Sequence, residues 1–484
     1  MNFSPLKLIF SDTFFYGGLG VISRGLTFLT FPLLARSITI EDYALFDTLT
    51  VFASFLILIL TFGAESILFR FIPEINDENE RFRFALSLIV NVFILSAVIS
   101  ILIFFIIVFM QYDVMGLKNT SLILFFMALP CLVIYNSVEA LLRITFQRNR
   151  FARLVIGNSV LILGVVFIFS SMNNRNIDLL VSFICMAWIL SGMLSFLFIG
   201  INNFKGVVIG RIKAKYFKYG IPLAGASLVT SLSPILERTI IIQNFSLKEL
   251  GFLAAAYKVS LFLSMIITAL QTASFPVLMS IKSSEEFDLI LNIYLKTSFL
   301  LLTMIALPLV FYSQDLIIAL AGIEYIPASE LLILTLSLVF IQYSHGALTV
   351  GFLLSNNTLV KMISQFLSLF LGFALIILKV SKISVFEMLS IIFAVKVVFL
   401  VIDFNLAQRQ YKIRWSSVRS AISLTCYISL IWYVSFFSEN SIVILMSGVL
   451  VSFVIFILTL SRAEFNLFVL SAKKWGRVIG KRNY

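Results

Sequence analysis

The sequence predicts an all-α polytopic membrane protein, and three observations carry the prediction. Of 484 residues, 60% are hydrophobic and 12% charged, whereas about a quarter of a soluble globular chain is charged. Apolar runs of about 20 residues recur along the whole length, each able to cross about 30 Å of hydrocarbon as a helix, and the mean hydropathy is +1.06. The cations collect in alternate connections between those runs.

Hydropathy, read with polar and Pro/Gly punctuation, places fourteen transmembrane helices near 14–35, 44–68, 84–110, 120–145, 153–171, 179–200, 217–240, 252–279, 289–312, 329–354, 359–379, 384–406, 418–437 and 441–460. Loops on one side hold Arg70, Arg81 and Arg83; Arg148, Arg150 and Arg153; Lys205, Arg211, Lys213, Lys215 and Lys218; and Arg409, Lys412, Arg414 and Arg419. The tail adds Arg462, Lys473, Lys474, Arg477, Lys481 and Arg482. The positive-inside rule then puts both termini in the cytoplasm. The first apolar run is as long as a full span and lacks a small-residue cleavage site, so the first helix is expected to stay rather than be removed as a signal peptide. The net charge of +12 is thus topology, with some contact to anionic lipid headgroups, and nucleic acid is not an expected partner.

Cys131, Cys185 and Cys426 stand singly in apolar segments and His345 is the only histidine. Neither a disulfide framework nor a metal or cofactor site is expected.

The chain resembles itself at an offset of about 207 residues. "YNSVEALLRITFQRNRFARLVIGNSVLILG" from Tyr135 lines up with "YSHGALTVGFLLSNNTLVKMISQFLSLFLG" from Tyr343, setting Arg153 against Lys361 and Gly164 against Gly372. "RSITIEDYALF" after helix 1 parallels "FSLKELGFL" after helix 7. Helices 1 and 7 both start in the cytoplasm, so the repeat is parallel rather than inverted. The expected organisation is one six-helix bundle over 1–203, a second over 204–410, and two further helices with a basic tail over 411–484.

The opening "GGLGVISRGLTFLTFPLLARSITIEDYALF", followed by "FGAESILFRFIPE", resembles the N-terminal signature of the polysaccharide and O-antigen flippases (Wzx-type) of the multidrug/oligosaccharidyl-lipid/polysaccharide (MOP) exporter superfamily. The resemblance implies two six-helix bundles set in a V around a central cavity, as in MATE transporters, rocking between inward-open and outward-open states. It implies a substrate, an undecaprenyl-pyrophosphate-linked oligosaccharide, carried from the inner to the outer leaflet, and polysaccharide polymerase and chain-length proteins as partners. Peptidoglycan-precursor flippases are fourteen-helix relatives, whereas many O-antigen flippases have twelve, so helices 13 and 14 leave the subfamily open.

Charges inside the spans are the candidate site residues, because a cation at bilayer centre costs about 2.5–3.5 kcal/mol on insertion scales. Arg24 lies mid-span in helix 1, and Gly17, Gly20, Thr27 and Phe31 share its face. A guanidinium matches phosphate oxygens with a planar fork of donors, and relatives line the cavity with basic residues, so Arg24 is read as a cavity cation; the competing reading pairs it with a buried carboxylate. "GGLG" at 17–20 follows no strand and precedes no P-loop lysine, so it reads as a helix-packing surface. Lys258 in helix 8 is either a second cavity cation or an interface anchor. Lys396 in helix 12 either lines the cavity or pairs with Asp403 or Glu387. Glu139 and Arg143, one turn apart in helix 4, are expected to pair with each other. Glu65 in helix 2 is a partner for Arg24 or a carrier of a coupling proton or sodium. His345, near the middle of helix 10, is a packing histidine or a proton-coupling group. Ser227, Ser231, Pro234 and Arg238 make one polar face of helix 7.

Three functions compete. A lipid-linked-oligosaccharide flippase wants the cationic cavity just described. A MATE-like cation-coupled drug exporter wants acidic cavity residues, for which Glu65 and Glu139 are the candidates. An enzyme wants a sizeable polar loop with acid and base groups, and the longest outer loop, near Ser313 to Ala328, has only about fifteen residues, so no enzyme is expected.

Overall fold

In the computed structural model the apolar runs are helices. The structure describes residues 4–72, 77–111, 116–173, 175–199, 214–280, 287–349, 358–410 and 442–460, with 75, 351, 352 and 355. The helices are α1 (Ser4–Phe28), α2 (Thr30–Ala35), α3 (Ile40–Leu60), α4 (Ala64–Phe71), α5 (Glu78–Phe109), α6 (Asn119–Ile144), α7 (Arg148–Ser170) and α8 (Ile177–Ile199). They continue as α9 (Ala214–Asn244), α10 (Leu247–Ser280), α11 (Phe287–Phe311), α12 (Ser313–Ala321), α13 (Ala328–Leu348), α14 (Thr358–Ile377), α15 (Val385–Gln410) and α16 (Ile442–Thr459). Among the described residues eleven helical segments are long and apolar enough to cross a membrane, and a shorter apolar helix covers Met446–Thr459. The expected helix at 418–437 lies outside the described residues.

Local chemistry sets the helix starts. Thr39 caps α3, its hydroxyl accepting from the Asp42 amide at 3.1 Å, and Glu41 and Asp42 face the positive end of the helix dipole. The same turn recurs before α10 as a capping box: the Ser246 amide donates to Glu249 Oε2 at 3.0 Å and the Glu249 amide to Ser246 Oγ at 3.3 Å. Asn176 before α8 and Ser384 before α15 form a second matched pair of caps. Both pairs stand at the offset of the sequence repeat.

Helix 2, expected as one span, is divided. Phe62 and Gly63 take left-handed φ values of 48° and 71°, a geometry glycine adopts freely and phenylalanine rarely. The break starts α4 afresh at Ala64, with Glu65 in its first turn. The expected outer loop at 313–328 is also ordered, as α12 and a 3-10 turn at Ile323–Tyr325.

The chain forms two compact units, one of Ser11–Ala255 with Leu320–Gly322, the other of Ala256–Ala319 and Ile323–Tyr484 with Met1–Phe10. In the first, α6 is the central helix, buried on most sides by α5, α8, α4, α3 and α7. Ala128, Leu129, Val133 and Val138 are fully enclosed there, as befits a helix apolar around its whole circumference. In the second, α13 holds the equivalent place against α15 and α11, with Leu332, Leu334, Leu336 and Phe340 enclosed. The most buried helix of each unit is therefore the one that carries the tyrosine-anchored repeat.

Candidate functional site: a charged layer in the first unit

Arg24 is exposed on α1. Its neighbour Ser23 hydrogen-bonds Ser159 of α7 at 2.6 Å, and the Tyr16 ring meets Phe151 edge-on at 4.9 Å, so α7 holds α1 from one side. The stripe's hydroxyls turn back on their own helix: Thr27 Oγ1 donates to the Ser23 carbonyl at 3.0 Å and Thr30 Oγ1 to that of Thr27 at 2.6 Å. A Cβ built on Gly18, Gly20 or Gly25 meets nothing within 4 Å. The reading of "GGLG" as a packing surface is corrected at Gly18 and Gly20: open space surrounds them.

Glu139, half-buried on α6, interacts electrostatically with Arg24, with Arg143 one turn on, and with Glu65 of α4. The expected Glu139–Arg143 pair persists as an electrostatic interaction without a salt bridge between the two. Arg143 Nη2 donates instead to Glu65 Oε1, and its guanidinium stands 5.0 Å from the centre of the Phe69 ring. Glu65 thus has Arg143, not Arg24, as its salt-bridge partner. The break at Phe62–Gly63 resets the azimuth of α4 and brings Glu65 to α6. Two cations and two carboxylates from three elements share one layer whose formal charges cancel. Tyr135, one turn before Glu139, bonds Asn158 of α7, which in turn accepts from Ser191 Oγ at 2.6 Å. Reasoning from the sequence overlooked Tyr135, Asn158 and Ser159 as members of this site, although all three lie in the segment that carried the repeat.

The other candidates lie in the second unit. His345 falls in the last turn of α13 rather than near the middle of its helix, and its Nε2 meets Asp403 Oδ2 at 2.5 Å, with the Asp403 side chain fully buried. Of the two carboxylates weighed as partners for Lys396, Asp403 meets His345, and Glu387 accepts from the Ser384 amide at 2.8 Å as part of a cap. Lys396 itself is half-buried on α15. Lys258 is half-buried eleven residues into α10, about 16 Å along the axis from the helix start. Sequence reasoning also missed Lys296 of α11, 1% exposed, whose ammonium donates to the carbonyl of Thr459 at 2.7 Å and so caps the C-terminal end of α16. Among the described residues no group of three or more His, Cys, Asp or Glu is placed to hold a metal ion.

A family model described as polysaccharide biosynthesis protein matches residues 9–282, more than half of the chain. The chain belongs to that family. Solved structures define the fold. The lipid II flippase MurJ in an inward closed conformation is similar with a TM-score of 0.68 at 15% identity, over 95% of this chain and 100% of that one. A MOP superfamily transporter from Pyrococcus furiosus is similar at 0.60 and 13% identity, over 83% and 95%. A multidrug resistance MATE family transporter in an outward-facing conformation is similar at 0.57 and 12% identity, over 82% and 94%. No curated protein matches the chain by sequence. The protein is therefore a multi-pass membrane protein of the polysaccharide biosynthesis family with the fold of the MOP superfamily's transporters and flippases.

Proposed function

We propose that the protein is a flippase that moves an undecaprenyl-pyrophosphate-linked oligosaccharide across the bacterial cytoplasmic membrane by alternating access, with both termini in the cytoplasm. Arg24 is the phosphate-binding group. The observation that carries the reading is a guanidinium exposed within an apolar helix, beside glycines with open space at their Cβ positions, and in electrostatic interaction with the Glu139 carboxylate of α6. A permanent cation needs charge compensation at such depth. Glu139 supplies it while the site is empty, and a pyrophosphate with more charge and more acceptor oxygens displaces Glu139 when it arrives. Arg143, one turn on from Glu139 and in electrostatic interaction with it, receives the freed carboxylate. Lys258 and Lys396 are the cavity cations proposed for the second half. The polymerase and chain-length proteins that consume the translocated glycan are the proposed partners.

The charge balance also argues against drug export. An exporter of organic cations needs surplus negative charge, and both carboxylates of this layer face arginines. A second reading, flipping of a peptidoglycan precursor, has one observation in its favour: the match to the lipid II flippase MurJ takes in 95% of this chain, which includes most of the residues after 410.

The test is surface glycan in cells relying on Arg24→Ala or Arg24→Lys. Losing a charge-assisted bond of about 1.5–3 kcal/mol weakens phosphate binding about 10- to 100-fold. Alanine should abolish export at wild-type membrane levels, and lysine, a point charge without the fork, should restore only part of it. Undiminished glycan with alanine would contradict the assignment.

A further inference from the structure

A second cluster of charges lies in the second unit, where α13 and α14 pack on α15 near the helix ends that the cation pattern assigns to the cytoplasm. His345 stands in the last turn of α13, and its carbonyl accepts from the Thr349 amide at 3.2 Å and hydroxyl at 2.5 Å. Its Nε2 meets Asp403 Oδ2 at 2.5 Å, seven residues before the end of α15. The Asp403 Oδ1 is buried too and accepts no hydrogen bond among the described residues. Lys361, half-buried in the first turn of α14, interacts electrostatically with Asp403. From α11 comes Tyr294, whose hydroxyl accepts from that of Tyr343 at 3.3 Å. Lys396 lies two turns back from Asp403 on α15, and the exposed Arg409 six residues on. The imidazole keeps 14% exposure, while the carboxylate has none.

The crossing of α13 and α15 does not need these charges to pack. Its repeat equivalent in the first unit is the crossing of α6 and α8, with Tyr135 set against Tyr343 and the Asn176 cap against the Ser384 cap. The same register sets Ser137 against His345 and Ser195 against Asp403. Both serines are buried, and each turns its hydroxyl onto its own helix, Ser137 to the Val133 carbonyl at 2.7 Å and Ser195 to that of Gly192 at 2.5 Å. The first unit thus builds its version of the crossing with self-satisfied serines at both positions. A buried carboxylate with an unused oxygen is costly where packing alone would serve. Its presence in the second unit points to a ligand of the pair, and the ligand that imidazole and carboxylate share is a proton.

We propose that His345 and Asp403 form a proton-binding site reached from the cytoplasm, and that a proton held there strengthens loading of the anionic headgroup. The effect on loading rests on the proposed function; the proton site does not. Without the proton, neutral imidazole donates its Nε2–H to the carboxylate, and with Lys361 the formal charges cancel. A proton from cytoplasmic water forms the second N–H bond at Nδ1, and the hydrogen bond becomes an imidazolium–carboxylate pair. The cluster then carries one net positive charge, because a single carboxylate faces both the imidazolium and Lys361. Imidazole is the side chain that changes charge near neutral pH, so the change lies within physiological reach. A pyrophosphate loaded from the inner leaflet meets that added charge, with Lys396 two turns further along α15. The protein's hold on its substrate therefore depends on cytoplasmic pH.

Two measurements test the site, and the first needs neither substrate nor variant. His345 is the only histidine of the chain, so full-length protein grown on isotope-labelled histidine and purified without a histidine tag gives one imidazole by NMR. Between about pH 8 and about pH 5 its nitrogen signals should pass from the unlike pair of a neutral ring to the matched pair of a charged one. A ring that keeps one form throughout would overturn the site. The second measurement uses inside-out membrane vesicles, whose outer face is the cytoplasmic one, and reads the concentration of fluorescent undecaprenyl-pyrophosphate oligosaccharide that gives half-maximal transport. For wild type it should fall at least about fivefold as the external pH drops from about 8 to about 6, the low end of coupling between two sites, and should ignore the pH of the lumen. His345→Gln should keep the weak value at both pH values, whereas Asp403→Asn, which leaves Lys361 unopposed, should show the tight value already at about pH 8. A tie between helices with no proton chemistry would impair both variants alike. That result, a pH response surviving in His345→Gln, or one that follows the lumen would overturn the proposal. If the imidazole takes its proton but wild-type protein moves no lipid-linked glycan, the proton site stands and the substrate reading falls. If glycan moves with no pH response, the proton's role falls and the flippase reading stands.

Discussion

An alanine at Gly192 would set a methyl group 2.4 Å from the carbonyl oxygen of Cys131 and 2.6 Å from its Cβ. The obstacle is backbone, so no rotamer change on α6 relieves it, and trimming Cys131 to alanine leaves both offending atoms in place. To reach ordinary contact near 3.5 Å, α8 must move about 1 Å away from α6, along the most extensive helix contact among the described residues. Ser191 and Ser195, both buried, flank Gly192 on this seam of small residues. Overpacking of this kind costs about 1–3 kcal/mol, and at about 2–4 °C per kcal/mol for a bundle of this size the Tm should fall by several degrees. The assay is thermal unfolding of the detergent-purified protein. Gly164→Ala is the control, because a Cβ there meets nothing within 4 Å and exchanging glycine for alanine in a helix gains up to about 1 kcal/mol. A Gly192→Ala protein as stable as wild type, or one rescued by Cys131→Ala, would refute the packing argument.

Two further outcomes follow from side chains already described. Lys296→Met removes the donor to the Thr459 carbonyl, so amides in the last turns of α16 should exchange faster while those of α11 keep their protection; unchanged exchange in α16 would mean that the lysine does not hold that helix. Glu65→Gln breaks a salt bridge whose side chains are 35% and 59% exposed, and such pairs contribute about 0–1 kcal/mol, so the Tm should move by no more than about 4 °C; a larger drop would contradict the geometry.

Hydropathy located the helices because length and apolarity are what the bilayer demands of each segment separately. The caps at Thr39, Ser246 and Ser384 are local chemistry between residues three apart, yet the sequence reading did not single them out. Partnerships were not legible. A sequence gives the depth of a charge and its face on its own helix, but not the azimuth of a neighbouring helix, and that azimuth decides whether Arg143 reaches Glu139 or Glu65. Here it was set by the left-handed pair Phe62–Gly63, in a run that hydropathy reads as continuous. Asp403 was sought beside Lys396 on its own helix, whereas its bond crosses to His345. Asp47 and Arg238, a buried ion pair, are 191 positions apart, and nothing local in either segment announces the other. Lys296 escaped notice because its role is to cap another helix's carbonyl, which leaves no trace in spacing.

The most direct measurement of the central claim uses purified protein in liposomes, loaded on one face with a fluorescent undecaprenyl-pyrophosphate oligosaccharide, and follows its arrival at the other face. Wild-type protein should move it, the Arg24→Ala variant should not, and free inorganic pyrophosphate should compete with the wild type alone. Equal rates for wild type and variant, or movement of lipid II in preference to the oligosaccharide lipid, would contradict the account.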